Sequence, residues 1–141
     1  MKSQHFMLDT NTVSCIIKGQ SESVRDHLTK VPMASICISA ITEAELLRGV
    51  AKKSDSKKLA SIVNGFLLRV QILPWDSKAA NAYALLRTAC EKEGKPLGAM
   101  DMLIAAHSLS SSATLITNDK AFHRISHHIK VNDWTKSHEE A

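Results

Sequence analysis

The 141-residue chain is 44% hydrophobic and 23% charged, with a formal net charge of +4, an ordinary balance for one globular domain that buries a core. Aromatic residues make up only 4%, so that core must be mostly aliphatic. No apolar run reaches the roughly 18 residues that would span a bilayer, and the start, Met1-Lys2-Ser3-Gln4-His5-Phe6, is too polar for a signal peptide.

The chain is therefore expected to form a single domain, 1–141, that stays in the cytoplasm. His5-Phe6-Met7-Leu8 reads as a buried strand that stops at Asp9-Thr10-Asn11, where Asp9 caps a helix through Cys15, Ile16 and Ile17. A second strand is expected at Ser35–Ser39, followed by a helix carrying Ile41, Glu45 and Leu46 and ending before Gly49. Helical spacing resumes at Leu59, Ile62, Val63, Phe66 and Leu67, and Val70–Leu73 forms a third strand closed by Pro74. Asp76-Ser77 caps the next helix, which runs through Ala79, Ala82, Tyr83, Leu86 and Cys90 to Gly94. Asp101 opens a further helix, and Ala113–Ile116 is a fourth strand ending at Thr117-Asn118-Asp119. Such alternation predicts an α/β fold, a parallel sheet covered by helices on both faces, with ligands outside the strands' carboxyl ends.

Asp9, Glu45, Asp101 and Asp119 can converge at that edge. Carboxylates so placed repel one another and raise each other's pKa unless a cation neutralises them. Their oxygen-only donor set, without Cys or paired His nearby, suits Mg2+ or Mn2+, ions that also bind phosphate oxygens and support phosphodiester hydrolysis. Each acid also has a purely local reading: a helix cap for Asp9, a surface helix position for Glu45, dipole-complementing charge for Asp101 and a turn residue for Asp119. A basic run, Arg48, Lys52, Lys53, Lys57 and Lys58, falls within eleven positions and suits either a solvated helix face or a polyanionic partner.

Four segments, in order and spacing, carry a resemblance over nearly the whole chain. They are Met7-Leu8-Asp9-Thr10-Asn11, Ile38–Gly49, Gly94–Asp101 and Leu115–Phe122, and Val131-Asn132-Asp133-Trp134 is similar to a closing strand. Together they resemble the PIN-domain ribonucleases, in particular the VapC toxins of toxin–antitoxin pairs. The resemblance implies a three-layer α/β/α fold with a short parallel sheet. It implies an acidic catalytic quartet of Asp9, Glu45, Asp101 and Asp119, with Asp9 and Asp101 as direct Mg2+ ligands and Thr117 and Asn118 as polar supports. Many VapC sequences have Asn where Asp119 stands, so this acid is expected to matter least.

Between Glu43 and Glu45, which point to different helix faces, the resemblance selects Glu45. It also implies cleavage of structured RNA such as tRNA, and homodimers within a complex with a VapB-type antitoxin. The antitoxin's tail would cross the acidic cleft and present an Arg to it.

The rival reading is a non-catalytic module, an acidic pocket that binds Mg2+ or a basic peptide, as in receiver-like signalling domains. Those usually place paired acids after the first strand, whereas Thr10-Asn11 follow Asp9.

Other residues read as structural. Cys15, Cys37 and Cys90 are expected to be buried, reduced thiols. Trp75 and Trp134 stand near strand ends as packing rather than base-stacking residues. Ser39 has no triad context. His123 and His127 have a spacing that zinc sites use on a helix, but no Cys or second ligand pair accompanies them; with His128 they read as surface residues of a connection.

Overall fold

The computed structural model describes residues 4–136; Met1, Lys2 and Ser3, whose polarity argued against a signal peptide, lie outside the described residues, as do 137–141. The apolar runs form five strands, β1 (Phe6–Leu8), β2 (Ile36–Ser39), β3 (Gln71–Leu73), β4 (Thr114–Ile116) and β5 (Val131–Asn132). All pair in parallel, in the order β3-β2-β1-β4-β5.

Side-chain alternation divides the core between the two faces of the sheet. Met7, Cys37 and Leu115 join Leu86, Cys90, Ile104, Phe122 and Ile125 on one side. Leu8, Ile36, Ile38 and Ile116 join Val13, Val24, Val63 and Trp134 on the other. Both faces are covered, which is why the strands read as continuous apolar runs rather than alternating ones.

The helices are α1 (Thr10–Lys18), α2 (Glu22–Thr29), α3 (Ala40–Lys52), α4 (Lys57–Arg69), α5 (Ser77–Lys92), α6 (Ala99–Ser110) and α7 (Lys120–His123). Helix α5 is capped by Asp76, which accepts from Ala79 N–H. It closes at Gly94, whose φ of 67° lets Lys95 N–H reach the Cys90 carbonyl. Among the described residues no helix is long and apolar enough to cross a membrane.

Two local expectations need correction. Helix α3 does not end before Gly49 but runs through it to Lys52. Leu46 and Val50, packed in the core on either side of Gly49, hold the helix against the roughly 1 kcal/mol that a helical glycine costs. Helix α2 was not anticipated, because its apolar stripe is short: Val24 is buried and Leu28 only partly so. Its start is marked by Ser21, whose Oγ accepts from Val24 N–H at 3.2 Å.

Trp134 is buried against Phe6 and stacked on His27, and Trp75 donates its indole N–H to the Leu103 carbonyl at 3.0 Å, so both rings are structural. The cysteines are free. Cys37 and Cys90 are buried, and burial pushes the Cys37 thiol up to about 11, but Cys15 is only half-buried.

Candidate active site

The chain builds β1 to β3 outward on one side, then returns to lay β4 on the other side of β1. The carboxyl ends of β1 and β4 therefore flank the point where the winding reverses, the expected place for a ligand cleft in an open parallel sheet. Asp9 follows β1 there, and Thr117, Asn118 and Asp119 follow β4.

Asp9 is anchored on both sides of its backbone. Its N–H donates to the Ile116 carbonyl at 3.1 Å, and its Oδ1 accepts from Thr12 N–H at 2.8 Å, capping α1. Thr12 Oγ1 donates to the Ile116 carbonyl at 3.0 Å and ties the start of α1 to β4. Asp119 caps α7 through Oδ1, which accepts from Ala121 N–H at 2.9 Å, and its own N–H donates to Thr117 Oγ1 at 3.0 Å. Thr117, buried, also hydrogen-bonds the Asp9 side chain and so links the two acids. His123 donates from Nε2 to the Thr117 carbonyl at 2.9 Å and steadies the turn. Asn118 is exposed, and its side chain joins none of these hydrogen bonds.

The other two acids come from helices. Glu45 lies one turn into α3, where Thr10 Oγ1 donates to its Oε1 at 2.6 Å. Asp101 lies in the first turn of α6. Burial raises its pKa, followed by the charges of Asp119, Glu45 and Asp9. Asp9 is raised too, mainly by burial and least by Asp119, against hydrogen bonds from Thr117 and Thr12 that favour the charged form.

All four expected acids thus act on one field, and Glu45, not Glu43, contributes to it. The cap reading of Asp9 holds as well, and Asp119, read as a turn residue, also caps α7. Thr10 and Thr12 brace this arrangement through contacts that the sequence offered no means to find, because their partners lie 35 and 104 residues away.

No salt bridge among the described residues neutralises any of the four. Neutralising one should therefore relieve repulsion, and Asp101→Asn in EDTA is expected to melt above the wild type. A relief of about 1 kcal/mol would raise Tm by roughly 4 °C in a domain this size, a readable shift in a thermal melt. A lower Tm would mean that Asp101 serves only the α6 dipole, a contribution of about 0.3–1 kcal/mol.

Ser39 and His107 form a buried pair that resembles a nucleophile and its base. Ser39 Oγ accepts from Ile41 N–H, capping α3, and lies 2.7 Å from His107 Nδ1, while a backbone hydrogen bond ties the ring to Pro74. Burial holds His107 below the usual histidine range. Ser39 is fully buried, so the pair braces β2 against α6 and faces no substrate.

A parallel α/β sheet carrying a carboxylate centre at its switch point places the molecule among acidic-cleft α/β proteins. Residues 6–128 match the family model described as PIN domain. The chain is 35% identical over 130 residues to the tRNA(fMet)-specific endonuclease VapC of Salmonella typhimurium, covering 92% of this chain and 97% of the relative. It is 37% identical over 133 residues to ribonuclease VapC2 of Rickettsia felis, covering 93% and 98%. The crystal structure of DNA-bound VapBC from Salmonella typhimurium superposes with a TM-score of 0.85 at 34% identity, over 94% of this chain and 99% of that one. The chain belongs to the PIN-domain family, among its VapC ribonucleases.

Proposed function

We infer that the chain, acting as a single cytoplasmic domain, is a Mg2+- or Mn2+-dependent endoribonuclease, the toxin of a toxin–antitoxin pair, that cuts structured RNA of the tRNA class. The observation that carries this is the common field of Asp9, Glu45, Asp101 and Asp119 at the switch point, none of which makes a salt bridge among the described residues. An oxygen-only donor set of this charge fits a hard divalent cation. Asp9 and Asp101 would hold it, and once bound it supplies charge neutralisation and polarisation of the scissile phosphate and the attacking water.

The chain's own residues supply the rest. Glu45, with Oε1 engaged by Thr10, keeps Oε2 to accept a proton from that water. Asp119, with Oδ1 engaged by the α7 cap, keeps Oδ2 to orient the attacking water. Lys18 and Lys53 line the same cleft as Glu45 and Thr10, where they attract phosphates flanking the cut. The exposed Arg48, Lys52, Lys57 and Lys58 extend that attraction along α3 and α4.

The tRNA assignment draws on the Salmonella relative named as a tRNA(fMet)-specific endonuclease, and the antitoxin partner on the VapBC complexes among the similar structures. A VapB-type partner that presents an Arg to the carboxylates would neutralise the same field as the metal and silence the enzyme. A homodimer within that complex completes the proposed assembly.

Cleavage of tRNA by the purified chain is expected with Mg2+ or Mn2+, to stop in EDTA, and not to return with Ca2+, whose larger and more flexible shell positions water poorly. Undiminished cleavage in EDTA would overturn the metal assignment and point to a metal-free, histidine-based ribonuclease.

A further inference from the structure

A second ligand cluster lies at the opposite edge of the sheet. Glu93 ends α5, and His127 and His128 occupy the turns between α7 and β5. Because β5 runs parallel to β4, residues just before Val131 sit at the strands' amino ends, away from the carboxyl-end acids. Glu93 Oε1 is 2.6 Å from His127 Nε2, and Glu93 Oε2 is 2.7 Å from His128 Nε2. The two imidazole rings lie 4.1 Å apart, centroid to centroid. Among the described residues this is the one group of three or more His, Cys, Asp or Glu whose ligand atoms all lie within 4.8 Å of one another.

We propose that Glu93, His127 and His128 form a binding site for a late first-row divalent cation of the Zn2+ type, distinct from the acidic cleft. Two imidazole nitrogens and a carboxylate match that borderline-soft ion better than Mg2+, which wants oxygen ligands. Zinc bonds of about 2.0–2.2 Å at a tetrahedral angle place ligand atoms roughly 3.4 Å apart, so the present contacts need to open by less than about 1 Å to admit an ion.

The backbone is already placed for this. Glu93 N–H donates to the Ala89 carbonyl at 3.1 Å, and His128 N–H to the Ile125 carbonyl at 2.9 Å. Ile125 and Ile129, both buried, root the turn in the core. The side chains are partly open to solvent, at 34% for Glu93, 47% for His127 and 24% for His128, so an ion can enter and a fourth position stays open to water. A bound ion would clasp the end of α5 to the turn that leads into the edge strand β5.

From sequence, His123, His127 and His128 read only as surface residues, and the His123–His127 spacing is not the pairing that forms here. His123 is engaged with the Thr117 carbonyl, and the third ligand comes from a residue 34 positions before His127.

The test is a Zn2+ titration of tag-free protein against a chromophoric chelator, in excess Mg2+ to fill the acidic cleft. The wild type should take up one equivalent, the His127→Gln/His128→Gln chain should lose it, and Glu93→Gln should weaken it by roughly 10–100-fold or more. Asp9→Asn/Asp101→Asn should retain it, and Zn2+ should raise the Tm of the wild type but not of the double-histidine variant. RNA cleavage in Mg2+ should be the same for the wild type and the double-histidine variant, which separates this site from the catalytic reading. Zn2+ uptake that survives loss of both histidines, that vanishes with Asp9 and Asp101, or that is absent from the wild type would overturn the proposal. Single histidine variants, each expected to bind more weakly than the wild type, keep the test decisive should the double variant fold poorly.

Discussion

Asp9→Asn and Asp101→Asn are each expected to abolish RNA cleavage in vitro and growth inhibition in cells while the fold stays intact. Asn caps a helix about as well as Asp, so the hydrogen bond from Thr12 N–H to position 9 survives the change, and position 101 makes no cap. What disappears is one ligand charge. A bound divalent ion contributes several kcal/mol of stabilisation to the charge developing in phosphoryl chemistry, and each 1.36 kcal/mol is tenfold in rate, so the loss should be at least about 100-fold. Initial rates on tRNA at fixed Mg2+, with circular dichroism to confirm folding, measure it. Wild-type rates in either variant would remove that residue from the metal site. Asp119→Asn should lose less activity, because its cap is equally preserved and its charge stands second to those of the two ligands.

Phe122→Ala is expected to destabilise the protein by about 3–5 kcal/mol, a large share of the roughly 5–15 kcal/mol that holds a domain together. Among the described residues Phe122 is the largest fully buried side chain, and it sits on α7, the one-turn helix capped by Asp119. Truncation opens a cavity in the core cluster that also holds Ile125 and Leu115. Because α7 is short, the loss should also loosen the turn that holds Thr117 and Asp119. Urea denaturation reads the stability change. An unchanged midpoint would mean that the neighbouring side chains collapse to fill the space.

Much of the acidic edge could be read from the chain because local chemistry marks it. Asp9 ends an apolar run and begins a helix, and Asp119 follows another apolar run, signals that need no partner. Asp101 fell in a helix's first turn, and Glu45 was set apart from Glu43 by resemblance. What stayed hidden is long-range: Thr10 on Glu45, Ser39 on His107, and Glu93 between two histidines, contacts that only folding brings together. Gly49 misled because glycine is a stop signal only where packing does not override it. Asn118, expected beside the acids, turns to solvent because Thr117 takes the buried position between β4 and α7.

The sheet's borders limit how other molecules can attach. Its outer strands are Gln71–Leu73 and Val131–Asn132, three and two residues long. Long exposed borders invite strand addition, both from aggregating copies and from partners that extend a sheet. Here an incoming peptide would find almost no free backbone ladder on either flank. Recognition by strand addition is thereby disfavoured, leaving helix faces and the acidic cleft, and a free chain offers little template for self-stacking.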